Sequence, residues 1–323
     1  MNYLFALLAT LSFASAQTQT VRLALDWVPN TNHTGIYVAL ANGWYEEAGV
    51  DVQILPYSSV SPEVLVANGR AEVGVSSTES VLGAAAAGEP VVSVAAMLST
   101  NTAALAVLED SGVTRPRELD GKVYAAFGAP WEIPAIAAVL RRDGGDGRFR
   151  SAVLNVAGFD ALLAGRADFV WIFRGWQGVQ AELEGVGLTL FNFSEYGVPD
   201  YYTPVLIASP DGVATNAEAL RAFLQATARG YIYAAENPAE AAELLLGAAP
   251  AGSFPNPELV RRSQALVSSF YIADGRAWGE QRPDYWRGFP ELLLNANVFE
   301  GASETVRTAV EGGSLYTNAL LPE

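Results

Sequence analysis

The feature that most constrains the fold is a regular alternation of short apolar strands and helical segments between Val21 and Ala96. Glycines follow several of the helical segments, where they favour helix ends. One helix is expected to begin at Ser76, because Ser76 and Glu79 have the spacing of a capping box. The alternation predicts a mostly parallel sheet covered by helices. The predicted strands cover residues 21–25, 50–55, 71–75 and 91–96.

The alternation starts again after an extended apolar segment at residues 102–108, and a second such segment follows at 204–209. A helix is expected to start at Pro130, since proline suits the first helical position. We therefore predict an α/β protein with two α/β lobes joined by two crossing strands, which binds its ligand beyond the carboxyl ends of the strands. Lobe 1 is predicted at residues 17–105 and 206–323, and lobe 2 at residues 106–205. The further predicted strands cover residues 122–127, 152–156, 169–173 and 188–193, and the later helices cover residues 217–236, 238–246 and 257–270.

Composition excludes several kinds of chemistry. The chain has no cysteine and a single histidine, His33, so a disulfide, a thiol nucleophile and a Cys/His metal site are excluded. A Ser-His-Asp triad could be built only around that histidine. The 35 Asp and Glu residues outnumber the 19 Lys and Arg residues, and the resulting net charge of −16 argues against a nucleic-acid partner.

The first 16 residues read as a signal peptide. They are apolar, carry no charged side chain and end in Ala14-Ser15-Ala16, which fits a small-residue cleavage site before Gln17. The alternative is a buried strand or helix of the fold. The stretch is too short to span a membrane, which takes about 20 apolar residues. Because the chain has no cysteine to carry a lipid, we expect a soluble, exported periplasmic protein that is not a lipoprotein.

Several segments resemble a known family. The segment LDWVPNTNHTGIYVA, residues 25–39, closely resembles the ThiY-like family of periplasmic binding proteins for thiamine pyrimidine precursors. Residues 43–52 are shared more widely, with sulfonate- and nitrate-type binding proteins, and residues 171–176, 200–207 and 317–321 are again similar to the ThiY-like family. The resemblance implies a monomeric type II periplasmic-binding-protein clamshell without cofactor or metal. Such a protein delivers a small molecule to an ABC permease and its ATPase, without membrane insertion.

Two kinds of residue are candidates for ligand binding. Aromatic side chains near strand ends could stack on a planar ring or could pack in the core. Short polar side chains could bind the ligand or cap the following helix, and the Glu132 charge could simply stabilise a helix start. The candidates are Trp27, Asn30, Asn32, His33, Tyr37, Ser76, Ser77, Asn101, Phe127, Gly128, Trp131, Glu132, Trp171, Phe173, Arg174, Gln177, Tyr201 and Tyr202.

The chain departs from the family pattern after the Trp-Ile-Phe strand. The resemblance leads us to expect an aromatic residue, a small residue, a tryptophan and an acidic residue there. The first and last of these positions are Arg174 and Gln177 here. The Gln177 amide can pair with a neutral ligand edge, whereas Arg174 would favour an anionic or carbonyl-rich ligand. These two residues predict a neutral or anionic heterocycle whose affinity depends little on pH, unless both lie on a helix surface.

Three functional hypotheses follow. The leading hypothesis is capture of a thiamine-related aminopyrimidine, and the same clamshell could instead bind riboflavin, another heterocycle or a sulfonate. The third hypothesis is an enzyme, because a fungal branch of the superfamily makes the thiamine pyrimidine from pyridoxal phosphate. That branch carries a lysine, a histidine and a cysteine-rich motif, whereas Ser76 and Ser80 occupy the lysine and histidine positions here. The sequence therefore favours a binding protein over an enzyme.

Overall fold

Two five-stranded sheets organise the protein in the computed structural model, which describes residues 18–272 and 275–322. The predicted signal peptide lies outside the described residues. The strands are β1 (Gln19–Ala24), β2 (Val50–Leu55), β3 (Val73–Ser76), β4 (Val92–Ala96), β5 (Ala103–Leu108), β6 (Val123–Ala126), β7 (Arg150–Val153), β8 (Phe169–Phe173), β9 (Leu188–Asn192) and β10 (Val205–Ala208). The first sheet has the order β2-β1-β3-β10-β4, and the second sheet has the order β7-β6-β8-β5-β9.

Both sheets repeat one topology. Strand β1 runs parallel to β2 and β3, just as β6 runs parallel to β7 and β8. The two segments expected to cross between the lobes are strands within the sheets. β5 pairs antiparallel within the second sheet, and β10 pairs antiparallel within the first. The chain passes between the sheets at residues 97–102 and 193–204. The predicted α/β class with two sheets is confirmed, and the predicted limits of the two lobes stay a prediction.

Thirteen α-helices surround the sheets within the described residues. None of these helices is long and apolar enough to cross a membrane. They are α1 (Thr34–Ala41), α2 (Trp44–Glu47), α3 (Pro62–Ala67), α4 (Thr78–Ala87), α5 (Glu132–Arg142), α6 (Gly158–Leu163), α7 (Val179–Glu184), α8 (Pro210–Thr215), α9 (Ala217–Glu236), α10 (Pro238–Ala248), α11 (Pro257–Val267), α12 (Tyr285–Asn295) and α13 (Ser303–Gly312).

The core forms where apolar strand residues pack against apolar helix faces. In the first sheet, Leu23 and Val75 are fully buried in a cluster that includes Phe223 of α9. In the second sheet, Ile172 is fully buried in a cluster with Phe159 of α6. Burial of side chains of this size stabilises the fold by about 1.5–3 kcal/mol each. Each sheet is thereby a rigid platform for the loops at its carboxyl edge.

Two predicted helix starts were wrong, and both lie beside the site described next. Helix α4 is capped by Ser77, whose Oγ accepts a hydrogen bond from the Ser80 N–H at 3.2 Å, because β3 continues one residue further and takes up Ser76. Helix α5 begins at Glu132 and not at Pro130. The residues before it form a turn whose N–H groups donate to the Glu132 carboxylate, and the helix therefore starts after that turn.

Candidate functional site

A cavity of about 620 Å³ lies between the carboxyl edges of the two sheets. This volume falls within the range of about 300–1,000 Å³ that is typical of small-molecule sites. The first wall consists of the segments that follow β1, β2 and β3, namely residues 26–27, 57–64 and 76–80, together with the nearby residues of α4. The second wall is formed at and beyond the carboxyl ends of β6, β7 and β8, by lining residues within 124–132, 155–159 and 170–173 and by Gln177.

Aromatic rings line both walls. Trp27 of the first wall and Phe173 of the second wall meet across the cavity, with ring centroids 6.4 Å apart. In the second wall, Trp131 packs edge-on against Trp171 at 5.3 Å. Phe127 is 45% exposed at the rim. These aromatic surfaces can stack on a planar heterocycle.

The Glu132 carboxylate holds the second wall in shape. It accepts hydrogen bonds from the Tyr124 hydroxyl at 2.7 Å and from the N–H groups of Phe127, Gly128 and Ala129 at 2.6–3.0 Å. Gly128 has a φ of +112°, which glycine adopts without strain. With four donors, this carboxylate is largely saturated within the protein. Glu132 therefore fixes the turn that carries Phe127.

The first wall contains a buried carboxyl group with a free oxygen. Glu79 is 1% exposed, and its Oε2 has no hydrogen-bond partner among the described residues. Burial raises the pKa of Glu79 from its ordinary value of 4.5 to about 7. Nearby, the Ser76 hydroxyl donates a hydrogen bond to Glu63, which is also buried. Glu79 is thus the buried carboxyl group of this wall that keeps free bonding capacity.

The side chains of Trp27 and Gln177 in the cavity wall each present a hydrogen-bond donor without a partner within the described part of the chain. The Trp27 indole N–H is buried and unpaired. Gln177 accepts a hydrogen bond from the Phe173 N–H through Oε1 at 3.0 Å, which fixes its amide, and its Nε2 makes no hydrogen bond to a described residue. The predicted pairing of the Gln177 amide with ligand is thus compatible with its position, and it stays a prediction.

Four candidates after the first strand shape the loop that carries Trp27 and do not line the cavity themselves. The Asn30 side chain accepts from the Asn32 N–H at 2.9 Å and caps the turn that follows. His33 is buried with its Nε2 3.0 Å from Asp26 Oδ1, while its Nδ1 accepts from the Asn30 N–H at 3.3 Å. Tyr37 is buried against α10. These residues position Asp26 and Trp27.

Four further candidates lie around the passages between the sheets and outside the cavity lining. The Tyr201 ring stacks on Phe289 at 3.7 Å, and the Tyr202 hydroxyl accepts from a backbone N–H at 3.0 Å. The side chain of Asn101 accepts from a backbone N–H two residues later. Arg174 lies over the Phe270 ring, with 6.0 Å between its guanidinium carbon and the ring centroid.

The charges of the cavity lining bear on the expected charge of the ligand. The carboxylates lining the cavity are Asp26, Glu63, Glu79, Glu89 and Glu132, and none of the described lining residues is a lysine, arginine or histidine. A wall of this charge disfavours anions and favours neutral or cationic ligands with N–H donors. Arg174, which lies outside the lining, therefore gives no support to an anionic ligand, and the charge of the ligand stays a prediction. Across the described residues, no group of His, Asp and Glu side chains is placed to hold a metal ion.

Sequence reasoning missed part of the lining. Tyr57 follows β2, Asn155 follows β7, and both line the cavity. Burial and the Asp26 charge raise the pKa of Tyr57, while the adjacent Asn155 side chain lowers it in part. Asn155 has a φ of +52°, a backbone conformation that asparagine tolerates better than most residues. The rule that ligands bind beyond strand ends could have found both residues. For Glu79, the sequence favoured the role of capping-box partner over that of a ligand contact.

The fold and the cavity define the class of the protein. Its neighbours among solved structures include the alkanesulfonate-binding protein from Xanthomonas axonopodis pv. citri, with a TM-score of 0.67 and 14% identity over 94% of this chain and 99% of that chain. They also include the periplasmic nitrate-binding protein from Synechocystis PCC 6803, with a TM-score of 0.64 and 15% identity over 94% of this chain and 87% of that chain. The protein therefore has the periplasmic-binding-protein fold, as the resemblance implied.

Residues 30–241 match the NMT1/THI5-like family, and the chain belongs to that family. The formylaminopyrimidine-binding protein of Halalkalibacterium halodurans is 34% identical over 77% of this chain and 79% of the relative. The 4-amino-5-hydroxymethyl-2-methylpyrimidine phosphate synthase of Legionella pneumophila subsp. pneumophila is 28% identical over 82% of this chain and 85% of the relative. The predicted resemblance to pyrimidine-precursor binding proteins is thus confirmed, and synthases are also among the relatives of this chain.

Proposed function

We propose that the protein is a solute-binding protein that captures formylaminopyrimidine or a closely related aminopyrimidine for an ABC importer. The observation that carries this proposal is the cavity itself, which combines aromatic surfaces and carboxylates without a cation among its described lining residues. The 34% identity to a formylaminopyrimidine-binding protein supports the same ligand class.

The chemistry of an aminopyrimidine matches the two walls. Its ring faces can stack on indole and phenyl rings, each contact being worth about 1–3 kcal/mol. Its amino group donates hydrogen bonds, for which carboxylates such as Glu79 are acceptors. A sulfonate or nitrate carries a negative charge, which the carboxylates of the lining repel and which no cation among the described lining residues offsets. The lining therefore argues against the anionic ligands named for the structural neighbours.

Binding without chemistry is favoured over synthase activity. A Schiff base to pyridoxal phosphate needs a lysine. Ser76 and Ser80, which line the cavity, stand at the positions that match the lysine and the histidine of the fungal enzymes. No lysine occurs among the described lining residues. We therefore propose that the protein carries its ligand unchanged.

Export, and delivery to an ABC permease and its ATPase, belong to the same proposal. The apolar segment before Gln17 and the absence of cysteine support a periplasmic protein without a lipid anchor. N-terminal sequencing of protein exported by a bacterial host should find Gln17 first. An intact Met1 in that fraction would contradict the export proposal while leaving the ligand proposal standing.

Titration calorimetry tests the ligand. Formylaminopyrimidine should bind one molecule per chain with a dissociation constant in the micromolar to nanomolar range, about −8 to −12 kcal/mol. Riboflavin, an aliphatic sulfonate and nitrate serve as competitors from the other ligand classes. Tight binding of a competitor and none of formylaminopyrimidine would overturn the proposal. Mass spectrometry of the recovered ligand should show it chemically unchanged.

A further inference from the structure

We propose that Glu79 determines ligand specificity, by sharing a single proton with the ring-nitrogen and amino edge of the bound aminopyrimidine. This inference rests on the proposed function, which it deepens. It begins from geometry, since Glu79 lines the cavity, is 1% exposed and has an Oε2 without a hydrogen-bond partner among the described residues.

The other carboxylates around the cavity already have partners or lie at its edge. Asp26 accepts from buried His33, Glu63 accepts from the Ser76 hydroxyl, and Glu132 accepts from four donors. Glu89 lies beyond the end of α4 and is only half-buried. Of the described lining residues, Glu79 is therefore the buried carboxyl group that a ligand can complete.

Burial raises the pKa of Glu79, whereas the hydroxyl groups of Ser77 and Tyr201 beside Glu79 lower it in part. The phenol of Tyr201 lies beside Glu79, and burial together with the Glu79 charge raises the pKa of Tyr201 well above its ordinary range, so this phenol stays neutral. Glu63 on α3 lines the same wall. The Tyr285 hydroxyl group of α12 donates a hydrogen bond to Asp200. The charged residues of α12 and α13, which pack against α4, are exposed: Arg287, Glu291, Glu304, Arg307 and Glu311.

An aminopyrimidine presents an N–H donor beside a ring nitrogen that accepts. A neutral carboxyl group fits this edge, because its O–H donates to the ring nitrogen while its other oxygen accepts from the amino group. A carboxylate fits the same edge once the ring nitrogen is protonated. In both arrangements, the carboxyl group and the ring nitrogen share one proton. A carboxylate facing an unprotonated ring nitrogen would instead place two acceptors against each other. The complex therefore keeps one proton.

The proton sets the pH dependence of binding. The Glu79 carboxyl group of the free protein loses its proton as the pH rises through its pKa of about 7. Above that pH, binding of a neutral ligand takes up one proton from solution, and the affinity falls about tenfold for each pH unit. This pH dependence replaces the pH-independent binding that Arg174 and Gln177 suggested.

The test compares three proteins by calorimetry with formylaminopyrimidine, in buffers of different ionisation enthalpy at about pH 8. The wild-type protein should take up about one proton per ligand bound. Glu79→Gln should bind without proton uptake, since an amide offers both the donor and the acceptor. Glu304→Gln makes the same chemical change at an exposed position of α13, and it should behave as wild type.

The wild-type measurement alone can overturn the inference, even where Glu79→Gln fails to fold. Binding by the wild-type protein without proton uptake, and with equal affinity between about pH 6 and pH 9, would do so. Equal uptake by wild type and Glu79→Gln would likewise remove Glu79 from this role. If neither protein binds formylaminopyrimidine at any pH, the proposed function fails, and this inference fails with it.

Discussion

Glu79 and Glu132 occupy similar places in the two sheets but differ in their hydrogen bonds. Each is almost fully buried, each lies in the first turn of a helix that follows a parallel strand, and each lines the same cavity. Glu132 accepts four hydrogen bonds, whereas Glu79 Oε2 accepts none from the described residues. Burial alone therefore does not decide what a carboxyl group does, and its donors have to be counted.

The two walls that carry these residues differ in the same way. In the second wall, Glu132 ties a turn beside the packed rings of Trp131 and Trp171. In the first wall, Glu79 Oε2 and the Trp27 indole N–H lack partners within the described chain. The second wall is thus organised before the ligand arrives, while the first wall keeps polar atoms for the ligand to satisfy.

The largest effect is expected from Glu132→Ala. The substitution removes an acceptor of four hydrogen bonds and leaves buried N–H groups unpaired, which should lower the free energy of unfolding by about 3–5 kcal/mol. Urea denaturation measures this loss, with Glu304→Ala on the exposed face of α13 as the matched control. A loss no greater than that of the control would show that the Glu132 hydrogen bonds do not stabilise the second wall.

Glu79→Gln should change stability in the opposite direction. The pKa of Glu79 rises from 4.5 to about 7 on folding, so its contribution is favourable below about pH 4.5 and is lost as the pH rises through 7. Glutamine carries no charge at any pH. The substitution should therefore raise the free energy of unfolding at about pH 8 by up to about 3 kcal/mol and change it little at pH 4.5.

Thermal unfolding of wild type and Glu79→Gln across this pH range measures the effect. The same substitution at exposed Glu304 should give a difference that does not grow with pH. A constant difference at position 79 as well would mean that Glu79 is ionised at the same pH in the folded and unfolded chains.

Much of the fold could be predicted from the sequence, because the alternation of apolar runs fixes where strands and helices lie. Helix α9 was predicted at residues 217–236 and is Ala217–Glu236. The helix starts beside the cavity were harder to predict. At Glu132, hydrogen bonds to the preceding turn override the preference of Pro130 for a first helical position, and local propensity does not contain those contacts.

The binding site could be predicted only in part, because the sequence places residues at strand ends but does not contain their tertiary contacts. Trp27, Ser76, Trp131 and Gln177 line the cavity, since each lies at or beyond the carboxyl end of a strand, where the sequence alone can place it. The distinction between Glu79 and Glu132 depends on which backbone N–H groups point at each carboxyl group. The sequence pattern, a glutamate in the first turn of a helix, is the same for both.

A smaller effect, on ligand affinity, is expected at Trp27, an aromatic side chain of the first wall. Trp27→Ala should weaken binding of formylaminopyrimidine by about 1–3 kcal/mol through the lost stacking surface, without unfolding the chain. Trp27→Phe should keep part of the affinity. Calorimetry compares both with Trp44→Ala, which removes a tryptophan that packs on Tyr233 away from the cavity. Wild-type affinity in Trp27→Ala would assign Trp27 to packing.

The smallest effect is expected at Arg174. Its guanidinium group lies over Phe270 and outside the cavity lining, so Arg174→Ala should change the affinity for formylaminopyrimidine less than about threefold, or 0.7 kcal/mol. Calorimetry at neutral pH measures the change. A loss of tenfold or more would return Arg174 to the ligand site, and it would restore the case for an anionic ligand.

A crystal structure of the protein with formylaminopyrimidine would locate the ligand relative to Glu79 and Glu132. We predict one ligand between the two walls, with its ring against Trp27 and the second-wall aromatics and its amino edge within hydrogen-bond distance of Glu79. A ligand bound outside this cavity, or one whose amino edge faces Glu132 while Glu79 Oε2 stays unpaired, would contradict the account.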